Sequence, residues 1–139
     1  MLLLDSEAIS SIAHGPDRRR DRVRALVMEM RSRDLPIATV AAVLADVVRG
    51  RPADAGVFAG LGGERVEVHP VDTRTGVRAG HLLETVGAGS EMAIDAFLVA
   101  DADLRGGAVI ATCDAGGLRR LASTAQRVRI ADLDRSDPS

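Results

Sequence analysis

Ala108-Val109-Ile110-Ala111-Thr112-Cys113-Asp114 opens on four apolar residues and closes on a threonine, the only cysteine and an acid. A short unbroken apolar run of this kind reads as a strand buried on both faces, the form taken in parallel sheets. Leu2-Leu3-Leu4-Asp5 has the same shape at the other end of the chain.

The stretches between alternate in period. Glu7 to Ala13 reads as a short helix stopped by His14-Gly15-Pro16. Asp17 is placed to cap a helix running to about Arg33, in which Val23, Leu26, Val27 and Met30 recur at helical spacing. Pro36 to Ala38 is a short strand. Thr39 then caps a helix through Val40, Val43, Leu44, Val47 and Val48, ended by Gly50 and Pro52. Ala53 to Leu61 is helical up to Gly62-Gly63, and Val66 to Val68 is a strand. Thr73 to Val86 is helical, with Val77, Leu82 and Leu83 expected to face inward, and Gly87-Ala88-Gly89 breaks it. Ser90 caps an apolar helix to about Leu104, Asp114 opens a helix to about Ala122, and Val128 to Ile130 is the last strand. Helices long enough to cross over between strands imply a parallel sheet covered on both faces, a three-layer α/β/α domain. Residues 1–133 form one domain in this reading, and 134–139 a flexible C-terminal tail.

Composition narrows the function. The chain has 139 residues, 46% of them hydrophobic and 27% charged, which suits one globular domain. Its 18 basic and 20 acidic residues give a charge of −2, so no global basic field draws in nucleic acid. Two Phe, with no Trp or Tyr, argue against the aromatic platforms on which single strands stack. One cysteine excludes an intramolecular disulfide and a cysteine-based zinc site. No stretch has the length of a membrane span, and the expected location is the cytoplasm. Every basic residue is Arg, which reads as coding bias rather than as design at any one position.

Four acids stand out. In open parallel sheets, ligands bind beyond the carboxyl ends of the strands. Asp5 follows the first strand and Asp114 follows the Ala108–Ala111 strand, although helix capping alone also explains an acid at either place. Asp46 is the only charged residue between Asp34 and Arg49, at the flank of an apolar helix face. Asp95 lies within Ala93-Ile94-Asp95-Ala96-Phe97-Leu98-Val99-Ala100, where an ionised group is costly without a cation, and Glu91 stands one turn earlier. Asp101 and Asp103 are read as solvated. Several carboxylates on one pocket cannot all stay ionised uncompensated, and oxygen donors suit Mg²⁺ or Mn²⁺.

The segments Leu2-Leu3-Leu4-Asp5-Ser6, Ala42 to Gly50, Ala93 to Ala100 and Ala108 to Asp114, in that order and spacing, resemble the PIN domain family, and specifically the VapC-type toxins of bacterial toxin–antitoxin pairs. The resemblance covers nearly the whole chain. It implies a central parallel sheet in the order 3-2-1-4-5 and an endoribonuclease dependent on Mg²⁺ or Mn²⁺. Such enzymes hydrolyse RNA phosphodiesters with metal-activated water, leaving a 5′-phosphate and a 3′-hydroxyl. Asp5, Asp46, Asp95 and Asp114 would be the catalytic acids. Asp5 and Asp95 would lead the metal ligands, with Asp114 beside them, and Asp46 and Asp114 would complete the charge or hold metal-bound waters. Ser6, Thr112, Arg119 and Arg120 would contact substrate, and Thr112 could instead orient a carboxylate. The implied partners are an RNA substrate such as tRNA, a cognate antitoxin and a second copy of the chain. Two features depart from the family pattern: Asp46 stands where Glu is usual, one methylene shorter, and Ala115-Gly116-Gly117 stands where a further acid is common.

A second reading keeps the scaffold without the turnover: a weak or inactive PIN domain that binds protein or RNA. A receiver-type α/β domain would need a Lys after its last strand, and the chain has none. Arg18-Arg19-Arg20 with Arg22 and Arg24 reads first as a solvated helix face and second as a phosphate contact. Cys113 has no His at a spacing suited to a nucleophile, and His14, His69 and His81 are scattered and receive no role.

Overall fold

A computed structural model describes residues 1–135. Five strands, β1 (Leu2–Leu4), β2 (Ile37–Val40), β3 (Glu67–His69), β4 (Ala108–Thr112) and β5 (Val128–Asp132), form one sheet in the order β3-β2-β1-β4-β5. Every pairing is parallel. The helices are α1 (Ser6–His14), α2 (Asp17–Ser32), α3 (Leu44–Val47), α4 (Asp54–Gly63), α5 (Thr73–Val86), α6 (Ala93–Leu104) and α7 (Ala115–Ala122), with 3₁₀ turns over Ala41–Val43 and Ser90–Met92. This is the expected α/β class with the expected strand order. Among the described residues, no helix is long and apolar enough to cross a membrane.

The two apolar runs lie side by side. Leu2, Leu3 and Leu4 pair with Val109, Ile110 and Ala111, and the three leucines are wholly buried. The ladder continues through the Asp5 amide to the Ala111 carbonyl at 3.2 Å, so the first acid leaves the sheet at its centre. Leu98, Val99 and Leu82 close the core from α6 and α5, while Val23, Val27 and Ile9 do so from α2 and α1.

The return from α6 into β4 depends on Gly107, whose φ is +118° and whose amide donates to the Ala102 carbonyl at 2.8 Å. A Cβ there would lie 2.7 Å from the Arg127 carbonyl oxygen and from the Arg127 Cβ. Backbone strain and clash act together, so Gly107→Ala is expected to cost about 2–3 kcal/mol, read by urea denaturation. A cost within experimental error would show that the turn relaxes freely.

Several expectations are corrected. Thr39 is not a helix cap: it is fully buried in β2, and its Oγ1 donates to the Leu4 carbonyl at 2.7 Å. The branched run Ile37-Ala38-Thr39-Val40 pairs with its neighbours on both sides, and that pairing outweighs the helical period after it. The expected helix shrinks to a 3₁₀ turn and the single turn α3. A 3₁₀ turn also precedes α6 in place of a Ser90 cap. Asp17 is the first residue of α2 rather than its cap, which is Pro16 without a side-chain bond. Val77 is 54% exposed, because α5 buries Thr75, Ala79 and Leu82 and Val77 lies on the opposite side of the helix.

Asp101 and Asp103 are not solvated. Asp101 is 2% exposed and joins His69 Nδ1 (2.8 Å) and Arg105 Nε (2.9 Å), while Asp103 accepts from Arg78 Nε at 2.8 Å. His69, given no role from sequence, therefore ties the edge strand β3 to α6. The arginines of α2 are largely used internally. Arg19 grips Asp134 with two bonds (2.8 and 2.7 Å), and Arg22 donates to the Leu133 and Arg135 carbonyls. Arg20 donates to the Gly15 carbonyl. The start of the expected tail, Asp134 and Arg135, is thus held on α2, and the rest of it, 136–139, lies outside the described residues.

Candidate active site

The acids gather at the carboxyl edge of the central strands. Asp5 is the N-cap of α1: its Oδ1 accepts from the Ala8 amide at 2.8 Å, and the residue is only 6% exposed. Burial pushes its carboxyl up to about 6. Hydrogen bonds from the Thr112 hydroxyl and the Ala8 amide pull the other way, and the charges of Glu7 and Asp95 add to the rise. Asp5 is therefore both the helix cap and a buried carboxylate at the edge where the other acids stand. The capping alternative raised by the sequence is true without being exclusive.

Asp95 lies in the first turn of α6 and is half-buried. Burial, then the charges of Asp114, Asp46 and Glu7, hold its carboxyl above the usual range. Among the described residues it makes no hydrogen bond or ion pair, and no arginine pairs with Asp5, Asp46 or Asp114 either. Asp46, expected at the rim of the core, is exposed on α3, where it accepts from Ser6 Oγ at 2.8 Å. Asp114 is exposed ahead of α7 and does not cap that helix with its side chain. Its amide donates to Thr112 Oγ1 at 3.0 Å.

The expected substrate contacts divide. Thr112 is fully buried, and its hydroxyl, which accepts from the Asp114 amide at 3.0 Å, also bonds toward Asp5. Ser6 faces Asp46. Arg120 donates to the Val86 carbonyl at 2.6 Å, at the end of α5. Arg119 lines a groove of about 580 Å³ between α2, α7 and β5, with Arg22, Leu26 and Ile130 among its walls and none of the four acids.

Two residues near the acids escaped the sequence reading. Glu7 lies two residues beyond Asp5, and its charge acts on both Asp5 and Asp95. Its position in the first turn of a helix opened by a site acid was the available signal. Gly117 sits where a Cβ would come 3.6 Å from Asp95 Oδ2 and 3.2 Å from the Met92 Cε. A place where an acid was expected from the resemblance is thus a close approach of α7 to Asp95. Glu91 takes no part: it is exposed, and its carboxylate accepts from the Gly89 amide at 3.1 Å. Burial pushes the Cys113 thiol up to about 12, which keeps it in the un-ionised form.

The donor set is all oxygen, which suits a hard cation and not zinc. Among the described residues no three Asp, Glu, His or Cys side chains are grouped to hold an ion by themselves. The grouping of Asp5, Asp95 and Asp114 expected from sequence is thus a shared edge without a closed cage. Mg²⁺ is commonly held by one or two carboxylates, with water and phosphate oxygens completing its shell, and this edge fits that manner of binding.

Fold and site together define an all-parallel α/β protein of PIN-like fold with unpaired carboxylates at the carboxyl edge of its central strands. No protein-family model matches the chain, and no curated protein is similar to it in sequence. Two solved structures share the fold over nearly the whole chain. One is the crystal structure of VapBC2 from Rickettsia felis bound to a DNA fragment from their promoter: TM-score 0.64 and 16% identity, covering 94% of this chain and 97% of that one. The other is the crystal structure of DNA-bound VapBC from Salmonella typhimurium: TM-score 0.61 and 20% identity, covering 95% of this chain and 97% of that one.

Proposed function

We propose that the chain is a divalent-cation-dependent endoribonuclease, the toxin of a toxin–antitoxin pair acting in the cytoplasm. The observation that carries this reading is Asp95, a half-buried carboxylate with no hydrogen bond or ion pair among the described residues, in the field of Asp114, Asp46 and Glu7. An arrangement that leaves such repulsion uncompensated is built for a cation. Mg²⁺ or Mn²⁺ at Asp5 and Asp95 would activate water and offset charge on the phosphate. Asp5 would bind from the sheet side, kept in one rotamer by the Ala8 amide and the Thr112 hydroxyl. Asp95 would bind from α6. Asp114, whose backbone N–H is held by the Thr112 hydroxyl, and Asp46, held by Ser6, would orient the water molecules around the scissile phosphate. Arg119 and Arg120 lie beyond this edge, and Arg120 would have to leave the Val86 carbonyl to meet phosphate. Likeness in fold to chains from VapBC complexes supports an antitoxin as partner, and a second copy of the chain is part of the same proposal.

The open edge favours a second reading, a scaffold that binds a protein or RNA without turnover, because no three ligands are grouped in advance. Incubation of the purified chain with structured RNA, tRNA included, and Mn²⁺ separates the two. Cleavage that stops with EDTA and leaves 5′-phosphate ends supports the nuclease. Partner binding with no turnover in either metal supports the scaffold.

A further inference from the structure

We infer that Ser6 is a positioning residue that fixes the short carboxylate of Asp46 toward the acid edge, the two acting as one unit; this rests on the cation-binding reading above. Asp46 sits on a single helical turn, Leu44–Val47, and is exposed. An exposed aspartate so placed is free to sample its rotamers. Its one hydrogen bond reaches 40 residues back in sequence, to Ser6 Oγ at 2.8 Å. Ser6 in turn stands on a rigid mount. It follows Asp5 directly, and Asp5 is fixed through its amide to Ala111 (3.2 Å) and through its side chain to Ala8 (2.8 Å). The hydroxyl holds Oδ2, and Oδ1 takes no donor among the described residues. The charge of Asp46 is felt at Asp95, so the carboxylate is within electrostatic reach of the proposed cation ligands. A glutamate there would have one more free torsion and would carry its carboxylate past Ser6 Oγ, so the 2.8 Å tie is matched to the shorter acid.

A surface tie between α1 and α3 would act on stability alone. A positioning role acts on the cation. Outer groups that orient ligands or their bound water are typically worth about 10–100-fold in metal affinity, and Ser6, acting through Asp46 and cation-bound water, belongs at the lower end of that range. Ser6→Ala is therefore expected to weaken Mn²⁺ binding about ten-fold by calorimetry, and Ser6→Thr to keep most of it. In an Asp46→Glu background, Ser6→Ala should cost much less, because the extra methylene carries the carboxylate away from the hydroxyl that holds Asp46. In metal-free protein, side-chain scalar couplings should show one Asp46 rotamer in the unaltered chain and averaging in Ser6→Ala. Equal Mn²⁺ affinity of the chain and Ser6→Ala, or the same loss in both backgrounds, would overturn the role of Ser6 and leave the nuclease reading standing. Failure of the unaltered chain to bind Mn²⁺ would overturn both. Averaged couplings in the unaltered chain would by themselves remove the fixing of Asp46.

Discussion

Asp95→Asn is expected to lower RNA cleavage by about 10³-fold or more while leaving the protein at least as resistant to heat. The first effect follows from removing a charge that the reaction uses. The second follows from what that charge costs the fold. Asp95 is half-buried, has no partner among the described residues and stands in the field of three other carboxylates, so its ionised form is costly to the metal-free protein. Asparagine has nearly the same shape and no charge. A purely structural acid would behave in the opposite way: its loss would lower the melting temperature and affect activity only through unfolding. Parallel melting curves and single-turnover cleavage with Mn²⁺ decide between them. Wild-type cleavage by Asp95→Asn would remove this residue from the mechanism.

The second large effect concerns Asp5 and pH. Its carboxyl is raised from 3.8 to about 6 in the folded chain, chiefly by burial. A raised carboxyl binds its proton more tightly when folded, so the stability this gives is present in full below pH 3.8 and is lost as pH rises through about 6. The gap is worth about 3 kcal/mol at neutral pH, as an upper figure. Asp5→Asn removes the titration and keeps an oxygen to accept from the Ala8 amide, so the cap survives. With EDTA present, the variant is expected to gain on the unaltered chain from pH 4 to about pH 6 and to hold that gain to pH 7 in urea denaturation. Added Mn²⁺ should close that gap by binding the native unaltered chain alone. Stability curves that run parallel across this range would show that burial does not govern Asp5.

How far the sequence reveals this site depends on where each residue finds its partners. The strands ending at Asp5 and Asp114 are legible because a strand buried on both faces has no polar residue to interrupt it: Leu2, Leu3, Leu4 and Ile110 are all fully buried. Their neighbourhood came from the resemblance, since periodicity says nothing of strand order, and the pairing of Leu3 with Ile110 agrees with it. Asp95 was legible as an acid in an apolar helix. Asp46 was placed on too long a helix, because Thr39 and Val40 fit a helical pattern locally and are claimed by a sheet whose other strands lie far away in sequence. The same distance hid Asp101, whose partner His69 is 32 residues back. It also hid the tie between Ser6 and Asp46 and the close approach of Gly117 to Asp95. Short-range pattern shows what a residue would prefer, and long-range packing decides which preference is met.

The most direct measurement is the position of Mn²⁺ in crystals soaked with it, located by anomalous scattering. The account predicts an ion at the carboxyl edge of the central strands, within coordination distance of both Asp5 and Asp95, and its loss from Asp95→Asn crystals. An ion bound only elsewhere, or an edge that stays free of Mn²⁺ at concentrations where other acids on the surface take it up, would contradict the account.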